Sequence, residues 1–147
     1  MGKQHFLNKS YCELSITSLE DLPEKISQEL DIIHMRFYKK GDTYGSKYSN
    51  SVGRRKHNLW AINSKTIISE AEDISPHLSY LKSIVSNKVD VLKKYKADPD
   101  YEIILWVWIE TDNAGIGLDL MEKEIEFIHN IFNRVHFSLL TNANIEE

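Results

Sequence analysis

Residues 11–17, YCELSIT, alternate polar and apolar side chains, the two-residue period of a strand with one buried face. Directly afterwards the period lengthens. Leu22, Ile26 and Leu30 stand four apart behind Glu20 and Asp21, with Pro23 in the first turn, which predicts a helix within SLEDLPEKISQEL. DIIHMRFY (31–38) then reads as a second strand, and the glycines, serines and asparagines of 39–58 as a loop. LWAIN (59–63) and TIIS (66–69) read as a short hairpin.

Ser75-Pro76 opens the longest predicted helix, with serine as cap and proline in the first turn. Leu78, Leu81, Val85, Val89 and Leu92 give it an apolar stripe, and Asp98-Pro99 ends it. YEIILWVWIETD (101–112) is the strongest strand signal in the chain. After a turn at Asn113 to Gly115, Asp119 with Glu122 has capping-box spacing for a last helix. Met121, Ile125, Ile128, Phe132 and Val135 would form its buried face. HFSLL (136–140) is the closing strand.

These elements fall into two strand–helix–strand units, about residues 11–70 and 101–140, joined by a linking helix over about 75–96. The arrangement predicts one α+β domain over 11–140, between an N-terminal extension (1–10) and a polar C-terminal tail (141–147). Its expected architecture is duplicated βαβ units in a ferredoxin-like mixed or antiparallel sheet. Two helices would lie on one face, with the long helix connecting the halves.

Composition narrows the class. At 147 residues, 41% hydrophobic and 27% charged, the chain has the make-up of an ordinary globular protein. Cys12 is the only cysteine, so no internal disulfide can form. The amino-terminal residues hold no apolar run of signal-peptide length, and no stretch reaches the roughly 18 apolar residues of a membrane helix. The expected location is cytoplasmic, without membrane contact. The net charge of −4 argues against binding long nucleic acid, which needs a basic surface. That charge is unevenly spread. Residues 39–60 carry six basic side chains against Asp42, a local +5, so the remainder carries −9. Localised positive charge suits a small anion.

The segments LEDLPEKISQEL and GIGLDLMEKEIEFIHNIFNRVHFSLL, Lys40-Gly41-Asp42 after the second strand, and Trp60 at the start of the hairpin resemble the bacterial and phage domain of unknown function 4279. The resemblance spans roughly residues 11–140. It implies the duplicated α+β layout and a small stand-alone protein. By analogy, some such proteins act as immunity or anti-defence factors. The family name implies no established activity, and residues 46–57 carry no matching family motif.

Two places offer chemistry. In the basic segment, Lys39, Lys40, Arg54, Arg55 and Lys56 would offset an anion's charge. The Gly41 to Gly45 backbone, next to Asp42, would donate hydrogen bonds, and Tyr44, Tyr48 or Trp60 would stack a flat ring. The competing reading is a solvated loop that keeps the chain soluble. The sequence is not a phosphate-loop motif. In the strand 101–112, Ile104, Trp106 and Trp108 share the face opposite Ile103, Leu105 and Val107. Burial of both tryptophans under the middle helix is the expected outcome. A ligand floor, partner interface or dimer seam is the alternative.

Catalytic signals are weak. Glu126-x-x-His129 has di-metal spacing, but matching ligands on other helices are missing, and an exposed charged helix face is the plainer reading. Neither a zinc knuckle nor a nucleophile elbow is present. No metal or cofactor is expected. The chain therefore reads as a non-catalytic protein that sequesters or senses a phosphate-bearing, nucleotide-like small molecule. The alternative is an immunity or antitoxin-type protein that inhibits a toxin or effector partner by direct binding, and a homodimer is compatible with either. A hydrolase acting on the same class of ligand is the third and least favoured reading.

Overall fold

A computed structural model of the chain describes residues 9–46, 49–67 and 73–141. Its centre is β1 (Lys9–Ser18), whose alternating side chains serve two environments. It pairs antiparallel with β5 (Asn58–Asn63) on one side and β6 (Tyr101–Thr111) on the other. The three-residue β2 (Arg36–Tyr38) pairs antiparallel with β5, and β7 (Arg134–Thr141) runs parallel to β6. The sheet is mixed, with strand order β2-β5-β1-β6-β7.

The helices α1 (Pro23–Leu30), α2 (Ser75–Val85), α3 (Val89–Ala97) and α4 (Glu122–Ile131) pack on one face of this α+β sheet. Cys12, Leu14, Ile16, Trp60, Ile62, Ile103, Leu105 and Val107 point into that layer. There they meet Ile26 and Leu30 of α1, Leu78, Leu81 and Val85 of α2, Leu92 and Tyr95 of α3, and Phe127 and Ile131 of α4. The β1–α1–β2 unit has β5 inserted between its strands, whereas the strands of β6–α4–β7 are direct neighbours.

Several elements differ from their expected extent. The strand expected over 31–38 shortens to Arg36–Tyr38. Asp31 adopts a left-handed conformation (φ 54°, ψ 40°) as the cap that ends α1, and Ile33 and Met35 are exposed in the connection. The single long helix is two, broken at Ser86-Asn87-Lys88, where two poor helix formers follow Val85. The apolar stripe survives the break, with Val85 and Leu92 both buried.

Thr66 and Ile67 lie in a turn whose Ile67 N–H donates to Ser64 O, not in a strand paired with 59–63. Ile68 and Ser69 fall outside the described residues. The cap of α4 is Met121, not Asp119; its N–H donates to Glu124 Oε1 at 3.0 Å, and Ser75 Oγ donates to the same carboxylate. With this later start, Phe127, Ile131 and Phe132 are buried, while Met121 and Ile125, expected inside, are exposed.

The segment expected as a loop contains a second, two-stranded sheet, β3 (Thr43–Ser46) against β4 (Ser49–Arg54). Gly41 at φ 91° turns the chain into it, and the Gly41 N–H to Arg55 O and Arg55 N–H to Asp42 O bonds close its base.

Candidate functional site

Cross-strand register decides which side chains share the face away from the helices. Glu13 lies opposite Asn63 and Trp106, Tyr11 opposite Trp108, and Ser15 opposite Ala61 and Ile104. Arg36 lies opposite Ala61, and His136 and Ser138 stand beside Trp106 and Trp108. The second face of β6, expected under the middle helix, is covered by no described helix, and it opens from Ile104, which is buried, towards Trp108. Trp106 is half-buried and Trp108 is exposed. The physical reason is topological: α2 and α3 sit on the face that buries Val107 and Leu105, and a sheet residue's neighbours in sequence point the other way.

The open face holds a cleft of about 300 Å³ lined by Tyr11, Glu13, Arg36, Lys65, Trp106, Trp108 and Ser138. Glu13 is its buried anchor, at 4% exposure. Arg36 meets it with both ends of its fork, Nη2 at 2.6 Å from Oε1 and Nε at 3.1 Å from Oε2, while Asn63 Nδ2 donates from 3.3 Å. The Arg36–Glu13 hydrogen bond, outweighing partial burial, raises the guanidinium's pKa further. The Trp106 indole donates to Ser15 Oγ at 2.9 Å and lies 4.4 Å from the His136 ring. Trp108 stacks on Tyr11 at 6.0 Å, and Lys65 Nζ stands 4.9 Å above the Tyr11 ring. Burial, then the Glu13 charge, raises the Tyr11 phenol's pKa. The cleft thus combines flat rings, the Lys65 cation and a neutralised Glu13–Arg36 pair, a lining suited to a planar molecule with an anionic group.

The basic segment separates into parts. Lys39 pairs with Glu24 at 3.1 Å, and its N–H donates to Asp42 Oδ2, so Asp42 stabilises the turn. The Lys40 N–H donates to Asn58 Oδ1, with its side chain exposed, and Lys56 is exposed too. Arg54 Nη1 donates to Gly41 O at 3.3 Å. Arg55 lies over the rings of both Tyr38 and Tyr44, at 4.1 and 4.4 Å. Trp60 departs from its expected role. It is fully buried on the helix side and donates to Ser27 Oγ at 2.9 Å, so its ring cannot stack an incoming ligand. Tyr48 lies outside the described residues.

Sequence reasoning passes over Tyr11, Glu13, Arg36, Lys65 and His136. The available signal is the polar row Tyr11, Glu13, Ser15, Thr17 on a strand that turns out to be central, since such a row needs a face free of helices.

On the covered face, Cys12 is fully buried, and burial, helped by Glu124, pushes its thiol up to about 12. Ser64 Oγ accepts from the Cys12 N–H at 2.9 Å and stands 2.8 Å from His77 Nδ1; both side chains are buried. This network ties the chain after β5 to β1 and to α2. Among the described residues, no group of three His, Cys, Asp or Glu side chains is placed to hold a metal ion. No described helix is long and apolar enough to cross a membrane.

The family model of the domain of unknown function DUF4279 matches residues 8–142. The chain belongs to that family. No curated protein and no solved structure matches it.

Proposed function

We propose that this DUF4279 protein is a non-catalytic binder of a nucleotide-like small molecule, which it sequesters or senses on the open face of its sheet. The observation that carries the reading is the cleft itself. Tyr11, Trp106 and Trp108 offer stacking surfaces and Lys65 a cation, beside the Glu13–Arg36 pair, on the face that no described helix covers. Its volume of about 300 Å³ falls at the small end of ligand sites. The site is assembled on paired strands, so little ordering accompanies binding. The relocation of Trp60 to the core shifts the expected ring contact from the basic segment to this cleft.

The test is native mass spectrometry of the purified protein, followed by titration with nucleoside monophosphates. A retained or added mass that disappears in Trp108→Ala supports the reading; unchanged affinity in Trp106→Ala and Trp108→Ala contradicts it.

A second reading, inhibition of a partner protein as in immunity proteins, draws on a different feature. The outer strand β7 exposes Phe137, Leu139 and Leu140. Such a strand can add to a partner's sheet or bury its apolar side chains against one. Under this reading, Leu139→Lys would abolish capture of a single stoichiometric protein without changing small-molecule affinity.

A further inference from the structure

The geometry around Arg55 points to a second, separate binding element: we propose that Arg55 is a preorganised receptor for a phosphate-type oxyanion, presented by the base of the β3–β4 hairpin. The proposal does not depend on the cleft reading. It starts from what the local sequence is arranged to do. Gly41 makes the left-handed turn into the hairpin, and two backbone bonds lock Arg55 opposite Gly41 and Asp42. The Tyr44 ring fills the space over Gly53, where an added Cβ would lie 2.5 Å from the ring carbon Cζ. Tyr38 is held from behind, its hydroxyl 3.3 Å from His57 Nε2. Both rings then lie against the Arg55 guanidinium, at 4.1 and 4.4 Å.

Aromatic faces fix a guanidinium without using its hydrogen bonds, because they contact the flat of the group while its N–H donors lie in the plane. Those donors have no carboxylate or carbonyl partner among the described residues. The contrast with the chain's other ordered arginines is informative. Arg36 is spent on Glu13 and Arg134 on Glu102, and Arg54 reaches Gly41 O. Among the described residues, Arg55 alone of these is positioned by rings with no acceptor on its fork. The surrounding segment carries +5 locally, which draws anions towards it. A phosphate or phosphoryl group matches that fork in two parallel bonds, as a carboxylate does. Tyr38 stands on the same face of β2 as Arg36, two residues on, so the receptor borders the cleft's face and remains distinct from the cleft lining.

The arginine Nε–H signals in a nitrogen–proton correlation spectrum report on this directly. Inorganic phosphate titrated into the full chain is expected to shift the Arg55 signal saturably, while Arg36, locked on Glu13, stays still. Arg55→Lys keeps the charge but loses the fork and the stacking, and is expected to weaken phosphate binding about tenfold. Arg54→Lys is expected to leave it within about twofold. Gly53→Ala displaces Tyr44 and is expected to weaken binding with Arg55 present. Free phosphate and a nucleoside monophosphate are run as separate arms, and adenosine, which lacks the oxyanion, is expected to leave Arg55 unshifted. An Arg55 signal unmoved by phosphate overturns the proposal. So does equal loss in Arg54→Lys and Arg55→Lys, which would mean diffuse attraction alone. Failure of the cleft reading appears elsewhere, as Trp106 and Trp108 signals unchanged by the nucleoside monophosphate while the Arg55 signal shifts.

Discussion

One strand, β6, shows two unlike faces. Towards the helices, Ile103, Leu105 and Val107 are buried in the core cluster to which all four helices contribute. Towards the open side, the same strand carries Trp106 leaning on Ser15 and Trp108 stacked on Tyr11, beside a carboxylate and two cations. The tryptophans make the contrast concrete. Trp60 and Trp106 each give their indole N–H to a serine at 2.9 Å. Trp60 does so in the core and Trp106 at the edge of a cleft, so the same residue type serves stability in one place and is available for recognition in the other. A strand apolar on both faces is therefore not proof of burial on both.

The largest effect that would break this comparison is in the core. Trp60→Ala is expected to destabilise the fold by about 4 kcal/mol, whereas Trp108→Ala should cost below about 1 kcal/mol, both measured by urea denaturation. Similar losses from the two would mean the faces are not energetically distinct. Next comes the carboxylate beneath the cleft. Arg36→Ala leaves Glu13 buried with Asn63 as its one hydrogen-bond partner among the described residues and is expected to cost about 3 kcal/mol. Combining it with Glu13→Leu should recover most of that loss, because the uncompensated charge is then gone.

A smaller, pH-dependent effect belongs to the covered face. Burial lowers the His77 pKa below its ordinary 6.5, so the folded chain keeps that ring neutral where the unfolded chain protonates it. Stability linked to His77 is therefore complete above about pH 6.5 and is lost as pH falls below it. Denaturation midpoints at pH 7.5 and 5.5 should fall more steeply in the native chain than in His77→Gln. Equal slopes would remove His77 from the account.

Legibility in the sequence followed the length and regularity of each signal. Strands 11–17 and 101–112, the proline-marked helix starts and the α2–α3 stripe carry enough repeats for their period to show, and each lies close to its expected place. The break at Ser86-Asn87-Lys88 does not show, because both helices present the same stripe to the same sheet. The shortening of β2, which pairs with Leu59 to Ala61 alone, follows from the left-handed cap at Asp31 and the exposed connection after it, which the apolar run 32–38 does not reveal. Tyr44 and Arg55 could be named from the segment's composition, but not their stacking, which depends on Tyr38 from another strand. The burial of Trp60 does not show in the local sequence for a similar reason, since its face is decided by register with Ile16 and Phe37. The cleft's Glu13–Arg36 anchor joins residues 23 positions apart and appears only once β5 lies between their strands.

The chain's three tryptophans are built-in reporters of the central claim, since each indole N–H gives its own nuclear magnetic resonance signal. Titration with a nucleoside monophosphate is expected to shift Trp106 and Trp108 while Trp60, sealed on the helix side, stays in place. If Trp106 and Trp108 do not move at any concentration at which the nucleotide binds, the open face is not the recognition surface.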